Sequence, residues 1–297
     1  MLFRLLGDVE VVPLCIYPRS TIQHEIKSIV NLLGSFDAIN LEDIKAPECF
    51  DIEEGLNNLK KLPIFHDDQH GTAIVTLAGL INAVKVAEKK LQECKVVING
   101  AGAAGITIAK LLLSYGVKDI TICDSTGSIY KGRLKNMNAA KQRIADVTNL
   151  SGKTGGLSDV IVGSDIFIGV SQEGALHGHQ IAKMARKSII FALANPIPEI
   201  MPDDAKQAGA WVYGSGRSDF ENQINNSLVF PGIFRGITQH RIKVITDEMK
   251  IRASEAIAAS IQGQPTRNYI IPDSLDKDVA IRISKELGVI AQANRKK

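Results

Sequence analysis

Short runs of aliphatic residues alternate along the chain with longer segments whose apolar positions recur every three to four residues. The short runs are typical of buried β-strands, and the longer segments are typical of helices that cover a sheet. Strands are predicted over residues 9–16, 38–41, 63–65, 96–98, 120–123, 166–170, 188–192 and 211–213. Helices are predicted over residues 21–33, 47–60, 72–90, 106–115, 138–149, 157–162, 178–185, 202–208, 242–261 and 277–291. Strands and helices that alternate at this spacing predict an α/β fold with a doubly wound parallel sheet.

The strand predicted at 96–98 leads into a glycine-rich turn, residues 100–105, with the spacing G-x-G-x-x-G. This order of strand, turn and helix is that of a dinucleotide-binding unit. Gly100 permits the tight turn, Gly102 lets a pyrophosphate approach the backbone, and Gly105 lets the helix pack against the strand. The alternative is a βαβ unit whose glycines serve packing alone.

Asp124 ends the next predicted strand, 19 positions after Gly105. An acid at this strand end accepts hydrogen bonds from a ribose 2′-hydroxyl and repels a 2′-phosphate. Residues 125–127 supply no arginine that would reverse this preference, although Lys131 and Arg133 lie close by in the sequence. The sequence therefore favours NAD as cofactor, with NADP as the alternative.

Two other predicted strands end on acidic residues, Glu42 and Asp43 after the first and Asp67 and Asp68 after the second. The carboxyl ends of strands are where ligands bind in open α/β sheets. Carboxylates that converge there repel one another unless a cation neutralises them, and oxygen ligands favour Mg²⁺ or Mn²⁺ over zinc. Acids at these positions also cap helices, and the residues alone leave both interpretations open.

A zinc site formed by His66 and His70 is a further alternative. It needs a helix through residues 63–70, whereas Pro63 and the β-type run that follows it favour a strand and then a loop. The sequence therefore argues against zinc and for a structural role of these histidines.

Polar residues follow the last predicted strands. Asn195 directly precedes a proline at a strand end, where its amide can face a nicotinamide or a substrate, but Asn-Pro also starts turns. Arg217 lies near a run of amides that includes Asn225 and Asn226. Arginine is a fork-shaped partner for a substrate carboxylate, and the alternative is a polar loop whose hydrogen bonds are internal.

Composition limits the class of protein. The chain has 297 residues, of which 45% are hydrophobic and 23% charged, as in ordinary globular proteins. A net charge of +3 is too small to indicate nucleic-acid binding, and the basic end, residues 294–297, is interpreted as a solvated tail. No apolar run approaches the roughly 20 residues that span a bilayer, and no signal peptide is evident. Four cysteines without paired spacing favour a reducing cytoplasm over a disulfide framework.

Several ordered motifs together resemble the malic enzyme family, specifically its small prokaryotic type. They lie at residues 40–44, 65–73, 100–105, 194–196, 216–220 and 225–232. The resemblance runs from Met1 to the tail and implies oxidative decarboxylation of L-malate to pyruvate and CO₂ with NAD(P)⁺ and Mg²⁺ or Mn²⁺. It implies a Rossmann-type NAD-binding domain at residues 72–297, the remnant of a smaller N-terminal α/β domain at residues 1–71, and a cytoplasmic homodimer in the full-length form.

The resemblance also implies roles for individual residues. Glu42, Asp43 and Asp68 correspond to the metal ligands of the family. The acid beside the family's catalytic lysine corresponds to Asp67. The amides that contact substrate and nicotinamide correspond to Asn195 and to Asn225 or Asn226, and the cofactor contacts fall on Gly100, Gly102, Ala103, Ala104, Gly105, Asp124 and Asn195. In such a site the metal polarises the C2 oxygen of malate and stabilises the enolate left by CO₂ loss.

The sequence departs from the family pattern at its beginning. The family's general base is a lysine in a Gly-Lys-Ala segment that leads into the motif read here as residues 1–4, so that this lysine would precede Met1. The tyrosine general acid and an arginine that grips malate would lie further upstream. We therefore expect impaired turnover. The alternatives are a catalytically inactive protein that binds NAD or metal, and a malolactic-type enzyme in which bound NAD⁺ cycles and lactate leaves.

Overall fold

The computed structural model describes residues 1–15, 21–32, 34 and 36–295. Its strands are β1 (Ile39–Leu41), β2 (Ile64–His66), β3 (Lys95–Asn99), β4 (Asp119–Asp124), β5 (Gly127–Ser128), β6 (Ile166–Gly169), β7 (Ile189–Ala192) and β8 (Val212–Ser215). The helices are α1 (Leu2–Gly7), α2 (Ile22–Leu32), α3 (Glu48–Asn58), α4 (Thr72–Val86), α5 (Ala103–Ser114), α6 (Ala139–Ala145), α7 (Leu157–Val160), α8 (Gly178–Ile181), α9 (Pro202–Gln207), α10 (Phe230–His240), α11 (Asp247–Ala258) and α12 (Lys277–Arg295). A π-helical turn, Asp67–Gly71, joins β2 to α4, and a short 3₁₀ turn, Asn226–Leu228, precedes α10.

A six-stranded sheet forms the larger part of the molecule, with the strand order β5-β4-β3-β6-β7-β8. All neighbouring strands are parallel except β5, which pairs antiparallel with β4. The side chains of β6, β7 and β8 are buried along their whole length, because helices cover both faces of the sheet. The predicted doubly wound α/β fold is therefore confirmed. The strand order reverses between β3 and β6, and this switch point is where open α/β sheets bind ligands.

A second, two-stranded sheet pairs β1 with β2 in parallel, and the register places Leu41 beside His66. Together with α2 and α3 it encloses a small hydrophobic cluster formed by Ile26, Val30, Leu41, Ile52, Leu56 and Ile64. Phe50 and Phe65 from the same segment also reach the main core. The π-helical turn continues directly into α4, so that the small sheet and the large sheet are joined without a linker. A domain division at residues 71 and 72 remains a prediction.

The strand predicted at 9–16 is wrong. Residues 8–15 have no regular structure, and Ile16 lies outside the described residues. No strand of the described residues pairs with this segment, and Val11, Val12 and Leu14 are exposed. The preceding residues form α1 instead.

The first helix packs against the C-terminal helices. The Phe3 ring lies 4.5 Å from that of Phe230 and 5.2 Å from that of Phe234, measured between ring centroids. Aromatic pairs at this separation add to the free energy of burial. The beginning of the chain is therefore anchored on α10 and not on the small sheet.

Helix boundaries differ from the prediction near the C-terminus. The helix predicted over 242–261 is observed as α11, which begins at Asp247, and α10 was not predicted at all. Pro231 and two glycines interrupt its apolar periodicity, although proline is tolerated in the first turn of a helix. Leu33, at the end of another predicted helix, and Lys296 and Lys297 of the tail lie outside the described residues. Within the described ranges, no helix has both the length and the apolar character that a membrane span requires.

Candidate functional site

The glycine turn lies between β3 and α5, at the switch point of the large sheet. Gly100 has a φ of +124°, and a Cβ atom there would overlap the carbonyl oxygen of Val170 at the end of β6. A Cβ atom on Gly105 would overlap the carbonyl oxygen of Gly100. A Cβ atom on Gly102, in contrast, would meet no protein atom within 4 Å. The fold therefore requires the first and third glycines, whereas the second keeps an open space free, which favours dinucleotide binding over packing alone.

Ala103 and Ala104 open α5, so that the free N–H groups of this helix begin at the glycine turn. A helix N-terminus that presents unpaired N–H groups attracts phosphate. On the neighbouring strand end, Asn99 donates a 3.0 Å hydrogen bond from Nδ2 to Oγ of Ser171. These side chains place polar groups on both sides of the switch point.

Glu199 holds two loops together at the carboxyl edge of the sheet. It is fully buried and accepts hydrogen bonds from the backbone N–H groups of Ser171 at 2.9 Å and Ala194 at 3.1 Å. Burial raises the pKa of Glu199 against the opposing effect of these hydrogen bonds. The sequence analysis missed this residue, because the only signal was an acid embedded between apolar residues after a strand end.

Asn195 follows β7 and is exposed at the same edge. Its Nδ2 atom lies near Gly216, where a Cβ atom would come within 3.1 Å of it. Arg217 is bound within its own loop: it donates hydrogen bonds to both carboxylate oxygens of Asp219, at 2.8 and 2.7 Å, and to the carbonyl oxygen of Pro196 at 2.9 Å. For Arg217 the structure thus favours the internally bonded polar loop, whereas Asn195 is available to a ligand.

Asp124 lies at the end of β4, as predicted, but its carboxylate is surrounded by protein donors. Oδ1 accepts hydrogen bonds from the N–H and Oγ1 of Thr126, at 2.9 and 2.7 Å, and from Nη1 of Arg133 at 3.0 Å. Oδ2 accepts from Arg133 Nη2, from Nζ of Lys141 at 2.7 Å and from Nδ2 of Asn136 at 3.1 Å. Six donors occupy all the acceptor capacity of a carboxylate. A ribose hydroxyl would have to displace one of them.

The same cluster is strongly charged. Burial alone would raise the pKa of Asp124, but the hydrogen bonds from Arg133, Lys141 and Thr126 outweigh it and hold the pKa well below its usual range. The side chains of Asp124, Arg133 and Lys141 are 7%, 5% and 11% exposed. Of the two nearby cations that the sequence indicated, Arg133 reaches back to Asp124 from the following loop, whereas Lys131 lies 3.8 Å from Asp146.

The four predicted acids come together at the carboxyl ends of β1 and β2. Because Leu41 lies beside His66 in the sheet, the residues that follow them, Glu42 and Asp67, leave the sheet side by side. The backbone N–H of Asp43 donates a 3.0 Å hydrogen bond to Oδ2 of Asp68. The parallel pairing of two short strands thus explains how acids 25 positions apart meet.

Asp67 is the most strongly perturbed of the four acids. It is 1% exposed, and its pKa is raised well above the usual value by burial and by the negative charges of Glu42 and Asp68. Partial burial and the charge of Asp68 also raise the pKa of Glu42. Asn226 donates a 2.6 Å hydrogen bond to Oδ2 of Asp67, whereas Oδ1 is buried without a partner in the described structure. Ionisation of Asp67 and Glu42 is therefore disfavoured, and no cationic side chain of the described residues is hydrogen-bonded or ion-paired to the four acids.

These acids fit a hard divalent cation in donor chemistry, because they supply carboxylate oxygens and their mutual repulsion would be relieved by positive charge. Among the described residues, no three His, Cys, Asp or Glu side chains are already arranged as a metal site. Metal binding at Glu42, Asp43 and Asp68 therefore remains a prediction that rests on donor chemistry and proximity.

The two histidines of the turn have different surroundings. Both ring nitrogens of His66 are buried without a hydrogen-bond partner among the described residues, and burial lowers the pKa of His66. His70 instead contacts Glu53 of α3, with 2.6 Å between its Nε2 and the carboxylate. Gln69 donates a 3.0 Å hydrogen bond to the same carboxylate and accepts one at 3.3 Å from Thr107 of α5. The turn that carries the acids is thus connected directly to the helix that begins at the glycine turn.

Of the two neighbouring asparagines, Asn226 reaches the acid cluster. Asn225 caps the short 3₁₀ turn, where its Oδ1 accepts a 2.9 Å hydrogen bond from the N–H of Ser227. The structure therefore brings Asn226 and Asp67 together and gives Asn225 a local role.

Comparison with known proteins gives consistent results. Residues 69–292 match the family model described as malic enzyme, NAD binding domain. The chain is 50% identical over 292 residues to the bifunctional malic/malolactic enzyme of Bacillus subtilis, a match that covers 98% of this chain and 71% of that protein. It is 47% identical over 285 residues to the NAD-dependent malic enzyme of Geobacillus stearothermophilus, covering 95% of this chain and 59% of that protein.

Solved structures of malic enzymes also resemble this chain. The NAD-dependent malic enzyme of Thermotoga maritima superimposes with a TM-score of 0.92 at 43% identity, covering 97% of this chain and 75% of that one. The malic enzyme of Pyrococcus horikoshii superimposes with a TM-score of 0.93 at 38% identity, covering 99% and 69%. The chain thus spans only part of each relative.

Proposed function

Because the chain belongs to the malic enzyme family, we propose that it is an oxidoreductase that converts L-malate to pyruvate and CO₂ with NAD(P)⁺ and a divalent metal. One observation carries the proposal. The turn that bears Asp67 and Asp68 is hydrogen-bonded, through Gln69 and Thr107, to the helix that begins at the glycine turn. The acids that fit a metal and the turn that fits a dinucleotide are therefore held next to each other.

In this proposal Glu42, Asp43 and Asp68 hold Mg²⁺ or Mn²⁺. An ion held by these residues would supply Lewis-acid chemistry, which would polarise the C2 oxygen of malate and stabilise an enolate. Asn195, exposed at the end of β7, orients the nicotinamide or the substrate. Asn226 fixes Asp67 beside the metal-binding acids through its 2.6 Å hydrogen bond.

Oxidation of malate would remove a hydride from C2, which bound NAD(P)⁺ would accept, and the hydroxyl proton, which a base would have to take. The bond between C3 and the departing carboxylate then breaks, and the enolate is protonated at C3. Both proton transfers need positioned groups. Within the described ranges, no lysine or tyrosine side chain is hydrogen-bonded or ion-paired to any of the four acids. We therefore propose that residues 1–297 by themselves turn over malate poorly.

The preference for NAD⁺ is also proposed, and the cluster around Asp124 supports it through charge. Arg133 and Lys141 are the cations that a 2′-phosphate would need, but both are bound to the Asp124 carboxylate. Both also donate to the carbonyl oxygen of Asn136, at 3.2 and 2.9 Å, and both are buried. Neither cation is free to bind NADP⁺ while Asp124 is ionised.

A malolactic outcome is the second candidate function. The relative from Bacillus subtilis that is 50% identical to this chain is named a bifunctional malic/malolactic enzyme. The metal-binding acids and the glycine turn serve both reactions equally, since each begins with hydride transfer from malate. Release of lactate in place of pyruvate would identify the malolactic reaction.

The function is tested with purified chain, L-malate, Mn²⁺ and either NAD⁺ or NADP⁺, by following the reduced cofactor and by separating pyruvate from lactate. Equilibrium titration of NAD⁺ and Mn²⁺ tests the two binding parts even if turnover is low. A chain that binds both but forms no product is the inactive alternative. Sedimentation and microscopy would test the proposals of a homodimer and a cytoplasmic location.

A further inference from the structure

A pocket of about 390 Å³ lies beside the π-helical turn, between α3, α5, α6 and the start of α11. Gln69 and His70 of the turn line it, but none of the four acids and no residue of the glycine turn does. The pocket is therefore separate from the site proposed for malate and NAD(P)⁺. Its volume lies in the range of small-molecule sites.

One part of the wall is apolar. Phe50, Phe65, Leu111 and Ile245 contribute aromatic and aliphatic surface. Small-molecule sites combine such surface with a few polar groups that fix the orientation of the ligand. The charged side chains of the wall therefore decide which ligand fits.

Two of the three acidic side chains that line the pocket, Glu53 and Asp247, are bonded to other side chains of the protein. Glu53 accepts one 3.0 Å hydrogen bond from Gln69 and contacts His70, and Asp247 accepts a 3.0 Å hydrogen bond from Lys250. Glu54 is exposed at the rim. The negative charge of Glu53 and Asp247 is thus committed to partners within the protein.

Two cationic side chains that line the pocket, Lys110 and Arg143, are not paired with an acid of the described residues. Within the described part of the chain, neither Lys110 of α5 nor Arg143 of α6 has an ion-pair partner; the Lys110 ammonium lies 5.7 Å from the ring centroid of Phe50. Burial, followed by the positive charge of Arg143, lowers the pKa of Lys110. The Nδ1 atom of His70 is also buried, with no hydrogen-bond partner among the described residues. Positive charge and an unpaired polar atom therefore remain next to the apolar wall.

We propose that this pocket binds a small organic anion, whose carboxylate or phosphate pairs with Lys110 and Arg143 and whose apolar part packs against Phe50 and Leu111. An anion at this position relieves the repulsion between the two cations, and the aromatic wall favours a ligand that carries a ring or an alkyl group. The ligand contacts the turn that carries Asp67 and Asp68 from the side of Gln69 and His70.

The test uses the intact chain and phenyl phosphate as the probe, titrated by calorimetry first without NAD⁺ and then with saturating NAD⁺. Saturable binding is expected, weaker for inorganic phosphate, which lacks the ring, and for benzyl alcohol, which lacks the charge. Lys110→Gln and Arg143→Gln should each weaken phenyl phosphate by about tenfold, the effect expected for loss of one charge-assisted hydrogen bond. Lys118→Gln, which removes an exposed lysine outside the pocket, should leave binding unchanged.

Three results would overturn the proposal. The first is the absence of saturable phenyl phosphate binding, and the second is equal binding by wild type and Lys110→Gln. The third is displacement of phenyl phosphate by NAD⁺, which would place the probe in the dinucleotide groove. Because NAD⁺ is titrated separately, a failure of the proposed cofactor site would be seen independently of the probe.

Discussion

The side-chain amide of Asn226 donates a 2.6 Å hydrogen bond to the buried carboxylate of Asp67, across 159 positions of sequence. It joins the turn before α10 to the turn before α4. The other carboxylate oxygen of Asp67 has no partner in the described structure. A single amide therefore supplies the hydrogen bonding of the most buried acid in the cluster.

Replacing Asn226 by alanine is expected to lower the free energy of unfolding by about 1–3 kcal/mol, because it leaves a buried polar group without a partner. Urea denaturation at neutral pH measures the change. Asn225→Ala is a useful comparison, since it removes a local cap. A double-mutant cycle with Asp67→Ala isolates the bond, and a coupling free energy near zero would show that the contact contributes nothing.

Mn²⁺ is expected to raise the melting temperature of the wild-type chain, since a ligand that binds only the folded state stabilises it by mass action, by about 2.7 kcal/mol at a hundredfold excess over its dissociation constant. Asp68→Ala should abolish most of this shift. Asp51→Ala removes an exposed acid of α3 and serves as the control. Equal shifts in wild type and Asp68→Ala would place the metal elsewhere.

Much of the fold was predictable because the strands of the large sheet are short aliphatic runs and the helices between them are periodic. The sequence failed where pairing partners decide the structure. Residues 9–15 resemble a strand but have no pairing partner in the described part of the chain. Helix α10 forms because its apolar face packs on α12, despite Pro231 in its first turn.

The candidate site likewise combines features that local sequence predicts with features that depend on distant partners. The glycines and the acids were predictable, since both occur at strand ends where the chain must turn and where ligands bind. The environment of Asp124 was predictable only in part: Arg133 was indicated by its nearness in sequence, whereas Lys141 reaches the carboxylate from a later helix. Glu199 was missed for a similar reason: its role is to accept hydrogen bonds from two loops that are distant in sequence.

Asp124→Asn is expected to destabilise the chain by about 3–5 kcal/mol at neutral pH, because it leaves two buried cations without their anion. The folded pKa of Asp124 lies below the unfolded value of about 3.9. The stabilisation is therefore complete above about pH 4 and is lost as the pH falls through the folded pKa. Urea denaturation from pH 7 to pH 3 should show the difference between wild type and variant constant at first and shrinking below about pH 4. A difference that grows on acidification would contradict the assignment.

Cofactor choice should change with the same residue. Asp124→Ala removes the carboxylate that occupies Arg133 and Lys141, so that NADP⁺ should bind more tightly relative to NAD⁺. Asp119→Ala, at the opposite end of β4, should leave the ratio of the two dissociation constants unchanged. Fluorescence titration of both cofactors measures this ratio. Tighter binding of NADP⁺ than NAD⁺ to the wild type would overturn the proposed preference.

Turnover of malate tests whether the described residues contain a complete set of proton-transfer groups. No lysine or tyrosine side chain of the described structure is hydrogen-bonded or ion-paired to the four acids, and loss of one general acid or base costs about 10²–10⁴-fold in rate. Asp67 is a poor substitute, because a cation bound next to it would lower its pKa. We therefore expect residues 1–297, assayed with malate, Mn²⁺ and NAD⁺, to be slower by at least this factor than the full-length Bacillus subtilis relative under the same conditions. Comparable rates would mean that a residue of this chain supplies the base. The first to examine would be Lys45, two positions after Asp43, and a rate unchanged in Lys45→Ala would exclude it.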